Sequence, residues 1–158
     1  MILIIYDSVF GNTEKVATML AAEIELLGQP SLARPIGRVM TSEMKDADLI
    51  VVGSPTRAFV PTDMMQQFLT ENAALLQGRN VSAFDTRLDP KATQAKIMGL
   101  FVKTPGYAND YFAKEFLRLN AKMIVPPSAF YVRKGKGPLS KNTSAQISSF
   151  ATALVNAK

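Results

Sequence analysis

Met1-Ile2-Leu3-Ile4-Ile5-Tyr6-Asp7-Ser8-Val9-Phe10-Gly11-Asn12-Thr13 is the stretch whose reading decides the fold. Ile2, Leu3, Ile4 and Ile5 form an unbroken apolar run, without the polar alternation of a half-buried strand, and describe a strand covered on both faces. After Tyr6 the chain turns polar, and from Asn12 helical periodicity takes over. Ser8, Asn12 and Thr13 bring hydroxyl and amide groups, and Gly11 omits a Cβ, where the first backbone N–H groups of a helix have no partner within it. A strand feeding a helix through such a turn favours an anion, most often a phosphate, at the helix N-terminus.

Working outward, Val16, Met19, Leu20, Ile24 and Leu27 recur on one face of a helix over residues 12–27, which Gly28 stops. Residues 31–34 read as a short edge strand ended by Pro35, and residues 41–48 as a brief helix. Leu49, Ile50, Val51 and Val52 then form a second fully apolar strand closing on Gly53, followed by the loop Ser54-Pro55-Thr56-Arg57-Ala58-Phe59. A helix from Pro61 or Thr62 to Leu76 precedes a third inner strand at residues 81–85, which opens onto Thr86, Arg87 and Leu88. Residues 89–106, with Gly99, Pro105 and Gly106, read as an excursion or lid carrying a short helix at 92–98. A helix over 109–119 leads to a last strand that starts at Met123, is interrupted by Pro126 and Pro127, and resumes at 129–132. From Asn142 or Thr143 the stripe Ile147, Phe150, Ala151, Leu154 and Val155 marks the final helix.

Strands alternating with helices, the strands nearly continuously apolar, predict a doubly wound α/β parallel sheet with helices on both faces. In such sheets ligands sit outside the carboxyl ends of the strands, at the switch point of the strand order. Here those ends are residues 8–13, 54–59 and 85–88, three ligand-capable segments on one rim. The 158 residues, 47% of them hydrophobic, suit one domain covering 1–158. With no Cys and no His, the chain has no thiolate nucleophile, zinc–thiolate site, iron–sulfur cluster or imidazole catalyst. Hard chemistry must therefore come from a bound cofactor or from carboxylate, Lys, Arg or Tyr groups. The net charge of +5 is scattered along the chain, and only Arg133, Lys134 and Lys136 cluster, in a turn that reads as solvated surface. No nucleic-acid interface is expected from that pattern. The apolar run at residues 1–5 is too short for a membrane span and wrongly flanked for a signal peptide, so a cytoplasmic protein is expected. A magnesium-binding receiver domain would need clustered carboxylates at these rims. Asp7 is the only acid at the first, and the second has none.

The turn Ser8-Val9-Phe10-Gly11-Asn12-Thr13 resembles the phosphate loop of the flavodoxins, Ser/Thr-x-Ser/Thr-Gly-x-Thr, which binds the phosphate of FMN. Gly53-Ser54-Pro55-Thr56 is similar to the second flavin loop of that family, and Asp85-Thr86-Arg87 falls where the third begins. The resemblance extends over the chain in element order and implies a flavodoxin-like five-stranded sheet of order 2-1-3-4-5. It further implies FMN as cofactor, with Ser8, Val9, Phe10, Gly11, Asn12 and Thr13 at the phosphate. Pro55, Thr56, Arg57, Ala58 and Phe59 would line one side of the isoalloxazine, and Asp85, Thr86 and Arg87 the other. No catalytic residue or metal ligand is implied. Phe10 departs from the pattern by standing where a hydroxyl is expected, so backbone N–H groups must carry more of the anion. With no Trp in the chain, a ring stacked on the flavin would be Phe59, Tyr107 or another Phe or Tyr. Arg57 and Arg87 flanking the flavin, with Lys91, Lys96 and Lys103 nearby, predict a less negative second reduction potential than in an acidic flavodoxin. The function so implied is electron transfer with a redox partner protein or small acceptor. The alternatives are a small FMN-dependent NAD(P)H:quinone-type oxidoreductase and a flavodoxin-shaped binding module.

Overall fold

The computed structural model describes residues 1–89, 107–134 and 136–158. Its strands are β1 (Ile2–Tyr6), β2 (Ser31–Pro35), β3 (Leu49–Pro55), β4 (Asn80–Leu88), β5 (Lys122–Met123) and β6 (Ser128–Val132). Its helices are α1 (Asn12–Leu26), α2 (Thr41–Asp46), α3 (Asp63–Glu71), α4 (Ala73–Leu76), α5 (Ala108–Arg118) and α6 (Thr143–Ala157), with a 3-10 turn at Ile36–Arg38. The expected helix at 92–98, and the excursion beyond Asp89, lie outside the described residues.

Every strand pairing is parallel, in the order β2-β1-β3-β4-β5. The segment β6 also pairs with β4, so Asn80 and Val81 face Lys122 and Met123 while Phe84 through Leu88 face Ser128 through Val132. The two pieces are thus one fifth strand broken in the middle. The break holds Pro126 and Pro127, which cannot donate ladder bonds. It is bridged where Ile124 N donates to Val81 O at 3.1 Å and Ser82 Oγ to Val125 O at 3.0 Å.

The apolar run in β1 is explained by which face each residue serves. Ile2, Ile4 and Tyr6 join one core with Val16, Leu20, Ile24, Ile147, Phe150 and Leu154 from α1 and α6. Leu3 and Ile5 join the opposite core with Met44, Met65, Phe68, Leu69, Phe112 and Phe116 from α2, α3 and α5. Leu49 and Val51 of β3 likewise go to the first core, and Ile50 and Val52 to the second. Alternation along each strand is present, but both faces are dry, so it leaves no polar mark in the sequence.

Four boundaries differ materially from the sequence expectation. The helix expected through Leu76 is two pieces, because Asn72 turns its own Nδ2 back to Phe68 O at 2.9 Å and leaves helical geometry at φ −103, ψ 17. Strand β3 runs on through Ser54 and Pro55, and β4 through Thr86, Arg87 and Leu88, so these residues are paired strand rather than open loop. An acid at position 85 reads as a strand stop because Asp is depleted in strands; here Arg87, two residues on and so on the same side of the strand, neutralises it. Helix α5 starts at Ala108, with Tyr107 N donating to Asp110 Oδ2 at 2.7 Å, rather than at Asn109.

Candidate functional site

Gly11 takes a left-handed φ of +78 at the N-terminus of α1, so that the chain leaves β1 and enters the helix in one sharp turn. Ser8 Oγ accepts from Glu14 N at 3.2 Å, and Ser8 N donates to Asp7 Oδ1 at 2.8 Å, which ties the turn down from both ends. Between them, the amide N–H groups of Val9, Phe10, Gly11, Asn12 and Thr13 have no protein acceptor among the described residues. Asn12 is only 8% exposed, yet its side-chain amide also lacks a hydrogen-bond partner there. Thr13, almost fully buried, shares a hydroxyl contact of 2.8 Å with Thr86 on β4. Unpaired N–H groups at a helix N-terminus, with the unpartnered Asn12 side chain beside them, fit a phosphoryl dianion such as the phosphate of FMN.

The second segment is a hairpin-like turn. Arg57 and Val60 exchange backbone bonds of 2.8 and 3.0 Å, and Ala58 and Phe59 between them both have positive φ, 45 and 72. Two central residues at positive φ are the mark of a type I′ turn, which normally uses Asn and Gly. Phe59 is left half exposed at its tip, and Arg57 is exposed and without an ion pair among the described residues.

The third segment is a buried polar knot. Asp85 is fully buried; its Oδ1 accepts from Arg87 Nε at 2.7 Å, and its Oδ2 from Arg87 Nη2 at 2.6 Å. Oδ2 also takes Thr56 Oγ1 at 3.0 Å and Asn109 N, in the first turn of α5, at 3.3 Å. Thr56 Oγ1 in turn accepts Ala108 N at 3.1 Å. Burial pushes the Asp85 carboxyl above its ordinary range, against the opposing pull of Arg87, Thr56 and the Asn109 N–H. The Arg87 guanidinium lies 3.8 Å from the centre of the Tyr107 ring, a cation–π contact. Its charge is therefore paired with Asp85, whereas Arg57 has no ion pair among the described residues. Lys91, Lys96 and Lys103 lie outside the described residues.

All three segments meet in one cleft of about 270 Å³. Phe10, Asn12 and Thr13 line it from the first, Pro55, Thr56, Arg57 and Ala58 from the second, and Thr86 and Arg87 from the third. Ser8, Val9, Gly11, Phe59 and Asp85 do not line it: Gly11 shapes its wall, Asp85 supports Arg87 from behind, and Val9 and Phe59 are half exposed. Leu88, the last residue of the third rim segment, also lines the cleft, and Val132 lines it without having been expected to. Leu88 follows directly from the longer strand. Val132 comes in as its partner across the ladder, a pairing 44 positions apart that no short-range pattern carries.

No curated protein sequence matches the chain. Solved structures with the same fold include a flavodoxin from the domain Archaea, at 18% identity and TM-score 0.72, covering 98% of this chain and 96% of that one. Flavodoxin 1 from Bacillus cereus matches at 18% identity and TM-score 0.74, covering 98% and 97%. The rubredoxin:oxygen oxidoreductase of Desulfovibrio gigas matches at 20% identity and TM-score 0.75, over 99% of this chain but 35% of that one. At these identities the likeness speaks for the fold, a parallel sheet of order 2-1-3-4-5 between helices. The sequence itself matches the flavodoxin domain family over residues 3–137, most of its length, and the chain belongs to that family of FMN-binding electron-transfer proteins.

Proposed function

We propose that the cleft is the FMN site and that the chain works as an electron carrier for a redox partner protein, in the cytoplasm. The observation that carries this reading is the meeting of the three segments in one cleft, beside N–H groups of residues 9–13 that have no acceptor among the described residues. Those N–H groups, with Asn12 and Thr13, would hold the phosphate. Pro55, Thr56, Arg57, Ala58 and Phe59 would stand on one side of the isoalloxazine, and Thr86 and Arg87, backed by Asp85, on the other. The flavin supplies the redox chemistry when bound; the protein binds it, orients it and sets the charge around it. Ser8 fixes the start of α1, and the Asp85–Arg87 pair fixes the far wall.

The exposed, unpaired Arg57 at the mouth of the cleft supports a second reading, an NAD(P)H:quinone-type oxidoreductase in which that cation holds a nucleotide phosphate. Helices among the described residues are too short or too polar to cross a membrane. Titration of FMN with the protein, read as quenching of flavin fluorescence, tests the site; absence of quenching refutes it. Oxidation of NADPH by the loaded protein with a quinone separates the readings: fast turnover favours the oxidoreductase, and none favours the carrier.

A further inference from the structure

A fourth segment reaches the phosphate turn. The loop between β6 and α6 is closed by Arg133 N donating to Pro138 O and Gly137 N donating to Lys134 O, each at 2.9 Å. Gly137, at φ +107, approaches α1 so closely that a Cβ there would stand 2.8 Å from Asn12 Oδ1. That is the same Asn12, 8% exposed, whose side-chain amide has no hydrogen-bond partner among the described residues. The neighbouring Lys136 extends its Nζ to 5.7 Å from the centre of the Phe10 ring. Phe10 is the residue standing where the phosphate loop is expected to offer a hydroxyl, and its own N–H is among the unpaired ones.

We propose that Lys136 is a phosphate-binding residue of the flavin site, supplying by charge what the turn lacks at Phe10. The inference rests on the reading that FMN occupies the cleft. Backbone N–H groups and the Asn12 amide are neutral donors, so a dianion on them alone keeps its full charge. The carboxylates closest in the turn are committed elsewhere: Asp7 accepts Ser8 N and Thr62 Oγ1, and Glu14 accepts the Tyr6 hydroxyl. No carboxylate among the described residues pairs with Lys136. A cation–π contact holds the ammonium at the rim without neutralising it, and a four-carbon stem lets it swing from the ring to the anion. The absence of a Cβ at Gly137 is what lets the loop come this close.

Riboflavin, which is FMN without its phosphate, provides the test. Dissociation constants for FMN and riboflavin are measured by fluorescence quenching on the full chain freed of flavin, for the unsubstituted protein, Lys136→Gln, Lys136→Arg and Lys134→Gln. Lys136→Gln should weaken FMN about tenfold, the usual scale for one partly exposed charge-assisted contact, and leave riboflavin unchanged. Lys136→Arg should restore most of the loss, and Lys134→Gln, two positions away in the same loop, should have little effect. The proposal is overturned if Lys136→Gln weakens both flavins equally, if it weakens neither, or if Lys134→Gln matches it. If FMN and riboflavin bind the unsubstituted protein equally well, the phosphate contact falls while the flavin site stands. Binding of neither would sink the site itself.

Discussion

Replacing Arg87 by Met removes the cation but keeps much of its aliphatic bulk, leaving the Asp85 carboxylate at zero exposure with a changed set of partners. Oδ1 loses its Arg87 Nε bond of 2.7 Å, and Oδ2 keeps only Thr56 Oγ1 at 3.0 Å and Asn109 N at 3.3 Å. Removing one partner of a buried ion pair typically costs about 3–5 kcal/mol, mostly because the other charge is stranded. The loss of the Tyr107 contact adds about 0.5–1 kcal/mol. Arg87→Met should therefore destabilise the flavin-free protein by about 4 kcal/mol in urea unfolding at pH 8. The pH dependence has a definite sign. Burial already raises the Asp85 carboxyl, and loss of Arg87 raises it further. A raised folded pKa means stability that is present below the unfolded value, about 3.9, and lost as pH climbs through the folded one. The deficit should then shrink steadily as pH falls from 8 toward 4. Adding Asp85→Asn to Arg87→Met should recover part of the loss at pH 8. A deficit under about 1 kcal/mol at pH 8, or one that grows on acidification, would refute the stranded-charge account.

A methyl group at Gly53 would sit 2.2–2.7 Å from three ring atoms of Phe84, which is fully buried and packed edge-on against Phe130 at 5.7 Å. Gly53→Ala should thus cost about 3 kcal/mol in urea unfolding, at the top of the range for overpacking. Ala58→Gly removes the strain of a side chain at φ 45, worth about 1–2 kcal/mol, but adds freedom to the unfolded chain, so Tm should rise by the equivalent of about 0.5–1 kcal/mol. Glu43 accepts Met40 N and Arg34 Nε, each at 2.9 Å, which hold its carboxyl below the ordinary range, the backbone bond foremost. Glu43→Ala should cost about 1–2 kcal/mol at pH 7. Because a lowered pKa gives stability that disappears as pH falls through the folded value, that cost should fade in unfolding curves taken below about pH 4.

The architecture was legible in the chain because its strongest signals are local. The unbroken apolar runs at residues 2–5 and 49–52 can only be strands dry on both faces, and the polar turn at residues 8–13 announces a helix start open to an anion. What escaped was set by partners distant in sequence. Asp85 looked like the end of a strand; its ladder partner Ala129 and its cation Arg87 keep it inside one. The i, i+2 spacing of that pair was visible, but its burial was not, and burial decides whether Arg87 is a free charge or a spent one.

The two revisions at the rim run in opposite directions for that reason. Arg87, expected to act on the flavin by its charge, is neutralised at 2.6 Å and becomes a wall. Lys136, part of a turn that reads as solvated, is carried to the Phe10 turn beside a glycine contact spanning 125 positions. Counting cations along the sequence therefore misjudges the field at the cleft, since what matters is which of them has already found a carboxylate. By that measure two cations without an ion pair among the described residues lie beside Phe10: Arg57, 5.6 Å from the ring centre, and Lys136, 5.7 Å from it. Among the described residues, unpaired positive charge thus gathers around Phe10, while at Arg87 the buried Asp85 carboxylate offsets it.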